Sequence, residues 1–259
     1  MNLIKNPEFD KKIIATNFSR AAKDYNKMAL VQAHSAQKLC ALALPFIKNN
    51  STILDLGCGN GFVSKNLSSQ KNLKIFESDL SLEMLKQSCG DKKICCDFEN
   101  LPFKNHSFDI LISSFSLQWL NNFEKNFQQF SLKLKSNGIL AFCLPTDQSL
   151  EQLKIASANS GCNFHFNSLP TINDLKSALK NCGLVEKIFE LEVIESEFIS
   201  GREALQSIKK IGANYSNKKN FVSKTQLAQF DSFCLKNFIN VNKKIFVTWR
   251  VAFFVCKNI

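Results

Sequence analysis

Three glycines at alternate positions are the clearest chemical signal in this 259-residue chain. Gly57, Gly59 and Gly61 follow Asp55, which lies in a short apolar run. Glycine lets a strand-to-helix turn adopt positive φ angles and lets the backbone approach a ligand closely. The dinucleotide fingerprint G-x-G-x-x-G would need glycine where Phe62 stands, so the pattern is D-x-G-x-G-x-G instead. An ordinary tight turn is the alternative interpretation.

A carboxylate follows at the end of the next predicted strand. Asp79 comes eighteen residues after Gly61 and is followed by Leu80. An ionised carboxylate accepts hydrogen bonds from both hydroxyls of a ribose, which a neutral side chain cannot do. We therefore expect Asp79 to bind a ribose, with Glu77 as a weaker candidate. A solvated helix N-cap would explain Asp79 taken alone.

The elements that would carry these residues alternate between strands and helices. Short apolar runs predict strands at 53–56, 73–76, 108–112 and 138–143, and the stretches between them predict helices at 62–67, 82–89 and 123–134. This alternation predicts a doubly wound α/β fold with a parallel sheet and helices on both faces. Ligands of such sheets bind beyond the carboxyl ends of the strands, where the glycine turn and Asp79 would lie.

The flanking segments extend this pattern at both ends of the chain. Helical periodicity runs through residues 12–44. Further helices are predicted at 148–159, 172–182, 201–212 and 224–238, and strands at 185–198 and 244–255. We interpret the chain as one domain with five parts: a helical cover (1–50), a ligand-binding core (51–145), helices and a strand that complete the sheet (146–198), a helical lid (199–243) and a last strand (244–259).

The core motifs resemble those of the class I S-adenosylmethionine-dependent methyltransferases. The run from Leu54 to Gly61 is similar to their motif I, and residues 96–103 (CDFENLPF) are similar to their D-x-E-x-L-P-F segment. The resemblance implies a Rossmann-like sheet of seven strands, mostly parallel with an antiparallel last strand, and S-adenosylmethionine as the methyl donor. It also implies that Asp97 and Phe98 frame the adenine, and that the motif I residues Asp55, Gly57, Gly59 and Gly61 and the Leu80 beside Asp79 contact the cofactor. The predicted strand at 108–112 leads to a carboxyl end with Ser113 and Ser114, which we expect at the cofactor.

The flanks resemble a narrower family, the malonyl-acyl-carrier-protein O-methyltransferases of biotin synthesis (the BioC family). Residues 18–25 (FSRAAKDY) with Gln32 are similar to the family's F-x-R-A-A-x-x-Y…Q segment, and residues 116–119 (SLQW) to its A-V-Q-W run. Residues 208–214 (IKKIGAN) are similar to its L-K-G-I-G-A-T stretch, and residues 248–251 (TWRV) stand where it often has T-Y-H-L. The positions at which these segments differ from the family patterns lie outside the cofactor core. The differences therefore affect substrate contacts more than cofactor contacts.

This second resemblance implies transfer of the methyl group to the free carboxylate of malonyl-acyl carrier protein. A carboxylate is already ionised at pH 7, so no general base is required. The candidate catalytic residues are Tyr25, Gln118 and Trp119, and Gln32 is a candidate cofactor ligand. The candidate substrate-binding residues are Arg20, Lys209, Lys210 and Arg250. A core aromatic is the alternative role for Tyr25, and a solvated outer-strand residue the alternative for Arg250.

The net charge of +11 is concentrated in the flanks. Residues 1–50 carry eight basic and three acidic side chains and residues 199–259 carry eleven and two, whereas residues 51–198 carry fourteen and seventeen. Acyl carrier proteins are strongly acidic, so a basic rim that includes Lys209, Lys210, Lys218 and Lys219 would steer docking. Nucleic acid is disfavoured as a partner because the chain has only three arginines.

Other features exclude several classes of protein. The apolar runs are too short for a membrane span, no secretory signal is visible, and no His/Cys spacing suggests a metal site. The ten scattered cysteines indicate reduced thiols, and hence a cytoplasmic protein, which we expect to be a monomer or a weak dimer. Three alternative functions stay open: a methyltransferase for a small metabolite such as a quinone precursor or another carboxylic acid, an RNA methyltransferase, and a non-catalytic partner protein that keeps a cofactor pocket.

Overall fold

The computed structural model describes residues 9–70, 72–213 and 222–259, and these form one mixed sheet surrounded by helices. The helices are α1 (Lys11–Ala21), α2 (Tyr25–Met28), α3 (Leu30–Ala43), α4 (Phe62–Leu67), α5 (Leu82–Gln87), α6 (Phe123–Lys133), α7 (Glu151–Asn159), α8 (Ile172–Asn181), α9 (Gly201–Lys210) and α10 (Lys224–Asn237). The strands are β1 (Thr52–Leu56), β2 (Lys74–Asp79), β3 (Lys92–Cys95), β4 (Phe108–Ser114), β5 (Leu134–Pro145), β6 (Leu184–Phe198) and β7 (Ile245–Asn258).

The seven strands lie in the order β3-β2-β1-β4-β5-β7-β6. Strands β1 to β5 pair in parallel, and β7 runs antiparallel between β5 and β6. The inner strands are apolar along their length because both faces of the sheet are covered, one mainly by α3, α4 and α7 and the other by α6 and α8. The predicted fold class, with its antiparallel last strand, is confirmed.

Strand β3 is the element that hydrophobic periodicity did not locate. Its sequence is KKIC, and only Ile94 is partly shielded while the other three residues are exposed. An edge strand this short and polar has no apolar run for a pattern to detect. Its identity as a strand comes from its parallel pairing with β2.

Two of the N-terminal helices contact the core and the helices between β6 and β7. Helix α1 packs on α5, and α2 contacts α9. Gly212, just after α9, has φ 78°, and a Cβ there would lie 3.0 Å from the Cα of Phe18 on α1. This close approach requires glycine and brings the end of α9 directly against α1.

Helices α9 and α10 have well-defined starts and are tied to each other. Ser200 caps α9 by accepting from the backbone N–H of Glu203, and α10 begins with a reciprocal capping box between Ser223 and Gln226. The guanidinium of Arg202 on α9 lies 2.7 Å from the carboxylate of Asp231 on α10. Of the described helices, none is both long and apolar enough to cross a membrane.

Candidate active site

The glycine turn between β1 and α4 forms the floor of the site. Gly57, Gly59 and Gly61 have φ angles of 67°, 55° and 80°, which side chains rarely adopt. A Cβ on Gly57 would lie 2.5 Å from the side chain of Ser116, whose hydroxyl donates to the Gly57 carbonyl oxygen at 2.7 Å. Substitution of Gly57 would therefore both strain the backbone and displace the loop after β4.

Asp79 is held by the backbone of the same turn. Its carboxylate accepts from the backbone N–H of Gly59 at 2.9 Å and from that of Ser81 at 2.8 Å. Burial raises the pKa of Asp79 to about 6, and the backbone hydrogen bonds oppose that rise. The carboxyl group is thus fixed in orientation and titrates close to neutral pH.

Asp55 is the most isolated acidic group of the site. It is 1 % exposed, and neither carboxyl oxygen has a hydrogen-bond partner among the described residues. Burial raises the pKa of Asp55 well above its usual range, and the nearby charges of Glu77 and Asp79 raise it further. An unpaired buried carboxyl group is costly, so this position favours a cationic ligand.

Glu77, the weaker ribose candidate, forms hydrogen bonds inside the protein instead. Its carboxylate accepts from the hydroxyl of Ser88 at 2.6 Å and from the backbone N–H of Gly90 at 3.1 Å. It is fully buried under the glycine turn, and it lines neither of the cavities described below. This placement favours Asp79 over Glu77 as the ribose ligand.

Asp55 and Asp79 line a narrow cavity of about 60 Å³. Nine of the eleven predicted cofactor ligands line it: Gln32, Asp55, Gly57, Gly59, Asp79, Leu80, Asp97, Phe98 and Ser114. The other two, Gly61 and Ser113, do not line it. Gly61 is the N-cap residue of α4, and the buried Ser113 hydroxyl donates to the Leu56 carbonyl oxygen at 2.8 Å.

Helix α1 covers the end of the narrow cavity where adenine is expected. The ammonium of Lys11 lies 3.1 Å from the carboxylate of Glu99, 3.7 Å from that of Asp97 and 5.0 Å from the centroid of the Phe98 ring. It also donates to the Trp119 carbonyl oxygen at 3.2 Å. Lys11 belongs to no recognised motif, and only the packing of α1 brings it here.

The residues of the narrow cavity fit S-adenosylmethionine, which carries a sulfonium and an ammonium. Three aspartates, Asp55, Asp79 and Asp97, line the cavity, and Lys11 is its one cation within the described part of the chain. The volume of about 60 Å³ is well below the ~300 Å³ at which ligand pockets usually begin.

A second, wide cavity of about 850 Å³ adjoins the first. Five residues line both cavities, and four of them are aromatic: Phe18, Tyr25, Gln32, Phe115 and Trp119. The remaining wall comes from distant parts of the chain, including α7, α9, residues 164–169 and Trp249 on β7. An aromatic junction of this kind limits the access of water to the point where two ligands would meet.

The wide cavity differs from the narrow one in charge. Arg20, Lys154 and Lys209 line it, whereas no Asp or Glu does within the described ranges. Lys154, on α7, is the most buried of these three cations, and burial lowers its pKa. An anionic ligand would therefore be favoured here.

Tyr25 lies at the junction of the two cavities and is 8 % exposed. Its ring centroid is 6.0 Å from that of Phe62 and 6.4 Å from that of Phe18. Burial, with a smaller contribution from the charge of Asp79, raises the pKa of its hydroxyl far above the usual value. The hydroxyl therefore stays protonated and can donate a hydrogen bond at neutral pH.

Gln118 and Trp119 bring buried polar atoms to the wall of the wide cavity. The Nε2 of Gln118 donates to the Phe115 carbonyl oxygen at 2.8 Å. Its Oε1, and the Nε1 of Trp119, are buried without a hydrogen-bond partner among the described residues. Such atoms are suited to bind a ligand. Phe115 itself has φ 53°, an unusual backbone conformation for phenylalanine and of the kind that concentrates at functional sites.

Two of the predicted substrate residues are not part of either cavity wall. Arg250 uses its backbone N–H to donate to the Ser149 hydroxyl at 2.9 Å, and its side chain lines neither cavity. Lys210 is exposed at the end of α9, beside the cavity-lining Lys209. Lys218 and Lys219 of the expected basic rim lie outside the described residues.

Sequence reasoning overlooked Lys154 and Phe115 as well as Lys11. Lys154 occurs on an ordinary amphipathic helix, and Phe115 within a run of serines and apolar residues. No spacing signal distinguishes either one from a surface or core residue. Their place at the site follows from how α7 and the end of β4 pack.

Comparison with known proteins identifies what the chain is similar to. Residues 54–142 match the family described as "Methyltransferase domain". The malonyl-[acyl-carrier protein] O-methyltransferase of Buchnera aphidicola subsp. Baizongia pistaciae is 31% identical over 226 residues, which cover 85% of this chain and 89% of that protein. The protein of the same name from Acetivibrio thermocellus is 29% identical, with 96% of this chain and 94% of the relative covered.

A solved structure supports the fold. Geranyl diphosphate methyltransferase in complex with S-adenosylmethionine superposes with a TM-score of 0.52 at 13% identity, covering 88% of this chain and 85% of that one. At this identity, the likeness concerns the arrangement of strands and helices alone.

Proposed function

Because the chain belongs to the malonyl-[acyl-carrier protein] O-methyltransferase family, we propose that it esterifies the free carboxylate of malonyl-acyl carrier protein. It is an S-adenosylmethionine-dependent methyltransferase, and S-adenosylmethionine is its methyl donor. The acceptor, the carrier protein and a place in biotin synthesis are the parts that we propose.

The opposite charge of the two adjoining cavities carries this proposal. The narrow cavity presents three aspartates to a cationic cofactor, and the wide cavity presents Arg20, Lys154 and Lys209 with no described acidic residue. A malonyl group retains one carboxylate after thioester formation, so its charge matches the wide cavity. A neutral acceptor would leave those cations without a counter-charge.

In this proposal the chain binds, orients and dehydrates, and S-adenosylmethionine when bound supplies an electrophilic methyl group. Asp79 would hold the ribose, Asp55 would face the cationic part, and Asp97 and Phe98 would frame the adenine. The acceptor carboxylate is ionised at neutral pH, so no residue has to remove a proton from it. Positioning and removal of water then provide most of the rate enhancement.

Tyr25 is the residue best placed to orient the acceptor. Its hydroxyl stays protonated and belongs to the aromatic junction between the cavities. We propose that it donates a hydrogen bond to the acceptor carboxylate and directs one oxygen toward the cofactor, with Gln118 and Trp119 completing the wall. Arg20 and Lys209, which line the wide cavity, would attract the carboxylate. Arg250 has no such role in this proposal, because it lines neither cavity.

The proposed partner is an acidic acyl carrier protein, which a basic rim would attract. Lys209 and Lys210 end α9 beside the wide cavity, and both are exposed. If charge reversal of both left the apparent affinity for the carrier protein unchanged at low salt, the rim would have no part in docking. A cytoplasmic location accompanies this proposal, because the ten cysteines are free thiols that suit a reducing compartment.

The decisive test is an intact-mass assay. Purified protein, S-adenosylmethionine and malonyl-acyl carrier protein are mixed, and we expect the carrier protein to gain the mass of one methyl group. Bound cofactor without that gain would refute the proposed acceptor. Faster turnover of free malonyl-CoA or of quinone precursors would support a small-metabolite methyltransferase instead.

A further inference from the structure

A third, polar cavity adjoins the wide one. This outer groove measures about 510 Å³ and is lined by Asp147, by Lys154, Ser157 and Ala158 of α7, and by residues 163–169. None of its lining residues lines the narrow cavity. Neither the comparisons nor the proposed chemistry assigns it a ligand.

The outer groove and the wide cavity share one wall. Six residues line both: Lys154, Phe164, His165, Phe166, Asn167 and Leu169. Five of them belong to the segment 164–169, which has neither helix nor strand and separates the two spaces. A chain-like ligand that passes this partition would lie partly in the groove and partly in the wide cavity.

The partition is tied down at both ends. The backbone N–H of Phe164 donates to the Ser157 hydroxyl at 2.7 Å, and its ring packs edge-on against Phe230 of α10 with centroids 5.2 Å apart. At the other end, the carbonyl oxygen of Pro170 accepts from the backbone N–H of Asp147 at 3.1 Å. The partition is therefore a built part of the fold rather than a loose loop.

The outer groove and the wide cavity differ in polarity. Seven of the eleven groove residues are polar, whereas most of the wide cavity is aromatic or aliphatic. At the partition, the Oδ1 of Asn167 is buried with no hydrogen-bond partner among the described residues. The ammonium of Lys154 is held there by the Asp147 carbonyl oxygen at 2.8 Å. An amide chain would satisfy such groups, because it offers N–H donors and C=O acceptors at intervals.

We propose that the outer groove binds the pantetheine-type arm of a thioester substrate and guides its acyl end past Lys154 and Asn167 into the wide cavity. This inference rests on the proposed function, because it presumes a malonyl thioester as acceptor. The ligand class is an extended thiol chain with two amides. The arm would reach the junction with the narrow cavity from the side opposite to the cofactor.

Ala158 offers a way to fill the groove without touching the wide cavity. It lies on an exposed part of α7 and lines the outer groove alone. Ala158→Trp is compared with Ile155→Trp, a matched control on the same helix at a side chain that is 45% exposed and lines none of the three cavities. Asn167→Leu keeps the approximate size of the side chain and removes its amide.

The test compares two acceptors, malonyl-pantetheine with both amides and S-ethyl malonyl thioester with none. We expect the wild-type protein and Ile155→Trp to prefer malonyl-pantetheine by at least about tenfold in kcat/KM, since each amide can form hydrogen bonds in the groove. In Ala158→Trp this ratio should fall toward one, and Asn167→Leu should lower it about threefold to tenfold. A ratio near one in the wild-type protein, or an undiminished ratio in Ala158→Trp, would overturn the inference.

Binding of pantetheine alone separates this inference from the proposed function. Saturable binding to the wild-type protein, lost in Ala158→Trp and kept in Ile155→Trp, would support the groove even if no malonyl thioester were methylated. Methylation of malonyl-acyl carrier protein without pantetheine binding or any preference for the arm would refute the groove and leave the proposed function intact.

Discussion

The narrow and wide cavities adjoin each other but are built in different ways. The narrow cavity is formed mainly by the carboxyl ends of β1, β2 and β4 and by the glycine turn, with α1 to α3 covering it, and it is acidic. The wide cavity is formed by α1, α7, α9, residues 164–169 and Trp249, and it is basic. Strand ends are held by the sheet, whereas helices and connecting segments can vary without disturbing it. The first region thus suits a constant cofactor, and the second suits a family-specific acceptor.

Loss of the Asp79 charge should have the largest effect, and it should be confined to the narrow cavity. Two charge-assisted hydrogen bonds to ribose hydroxyls correspond to a drop in cofactor affinity of about 100-fold in Asp79→Asn. Calorimetric titration with S-adenosylmethionine measures it. Glu77→Gln is the control, because Glu77 is a carboxylate on the same strand as Asp79 but lines neither cavity. A similar loss in both variants would mean that the effect is structural.

Cofactor affinity should depend on pH through the same carboxyl group. The pKa of Asp79 in the folded protein without ligand is raised to about 6, so the group is mainly protonated at pH 5 and mainly ionised at pH 7. Ribose hydroxyls donate to the ionised form, and affinity should therefore be about tenfold lower at pH 5 than at pH 7. Asp79→Asn should show a flat profile over this range. An equally steep profile in that variant would assign the titration to another group.

The raised pKa of Asp79 also has a consequence for stability. Between the ordinary pKa of an aspartate and about 6, the folded state binds more protons at this position than the unfolded state does. The contribution of Asp79 to the free energy of unfolding therefore decreases as pH rises through this window. Because cofactor affinity should be higher at pH 7, added cofactor should raise the melting temperature more at pH 7 than at pH 5.

Removal of the Arg20 charge should affect the wide cavity alone. Arg20→Gln should raise KM for malonyl-acyl carrier protein about fivefold to tenfold, as expected for loss of one charge-assisted contact at an exposed position. Affinity for S-adenosylmethionine should stay unchanged. Arg202→Gln serves as the control, since Arg202 pairs with Asp231 and lines neither cavity. A change in cofactor affinity in Arg20→Gln would show that the two regions are not independent.

The smallest expected effect distinguishes two neighbouring lysines on α9. Lys209 lines the wide cavity and Lys210 does not, although both are exposed. At the physiological ionic strength of about 0.15 M, Lys209→Gln should raise KM about twofold to threefold and Lys210→Gln should leave it unchanged. At low salt both should slow association with an acidic carrier protein. Equal KM effects at physiological salt would mean that both act only through long-range attraction.

The elements differ in how far local sequence could predict them. Local sequence predicts some elements to within a few residues, namely β1, β4, α4 and α6. Each of these segments contains an apolar run or a helical period of its own. Strand β3 was missed because its KKIC sequence has no such pattern and depends on pairing with β2. The glycine turn and Asp79 were recognisable because backbone geometry and chemistry act at fixed spacings from a strand end.

The sequence by itself determined the α/β class, the family resemblance, the candidate acidic residues for the cofactor and the concentration of positive charge in the flanks. The tertiary structure decided that Lys11 covers Asp97 and Phe98, that Lys154 and Phe115 join the site, and that Arg250 lies outside the cavities. It also created the outer groove. The physical reason is that a turn motif is held by neighbours in sequence, whereas a cavity wall is assembled from segments whose packing no local pattern encodes.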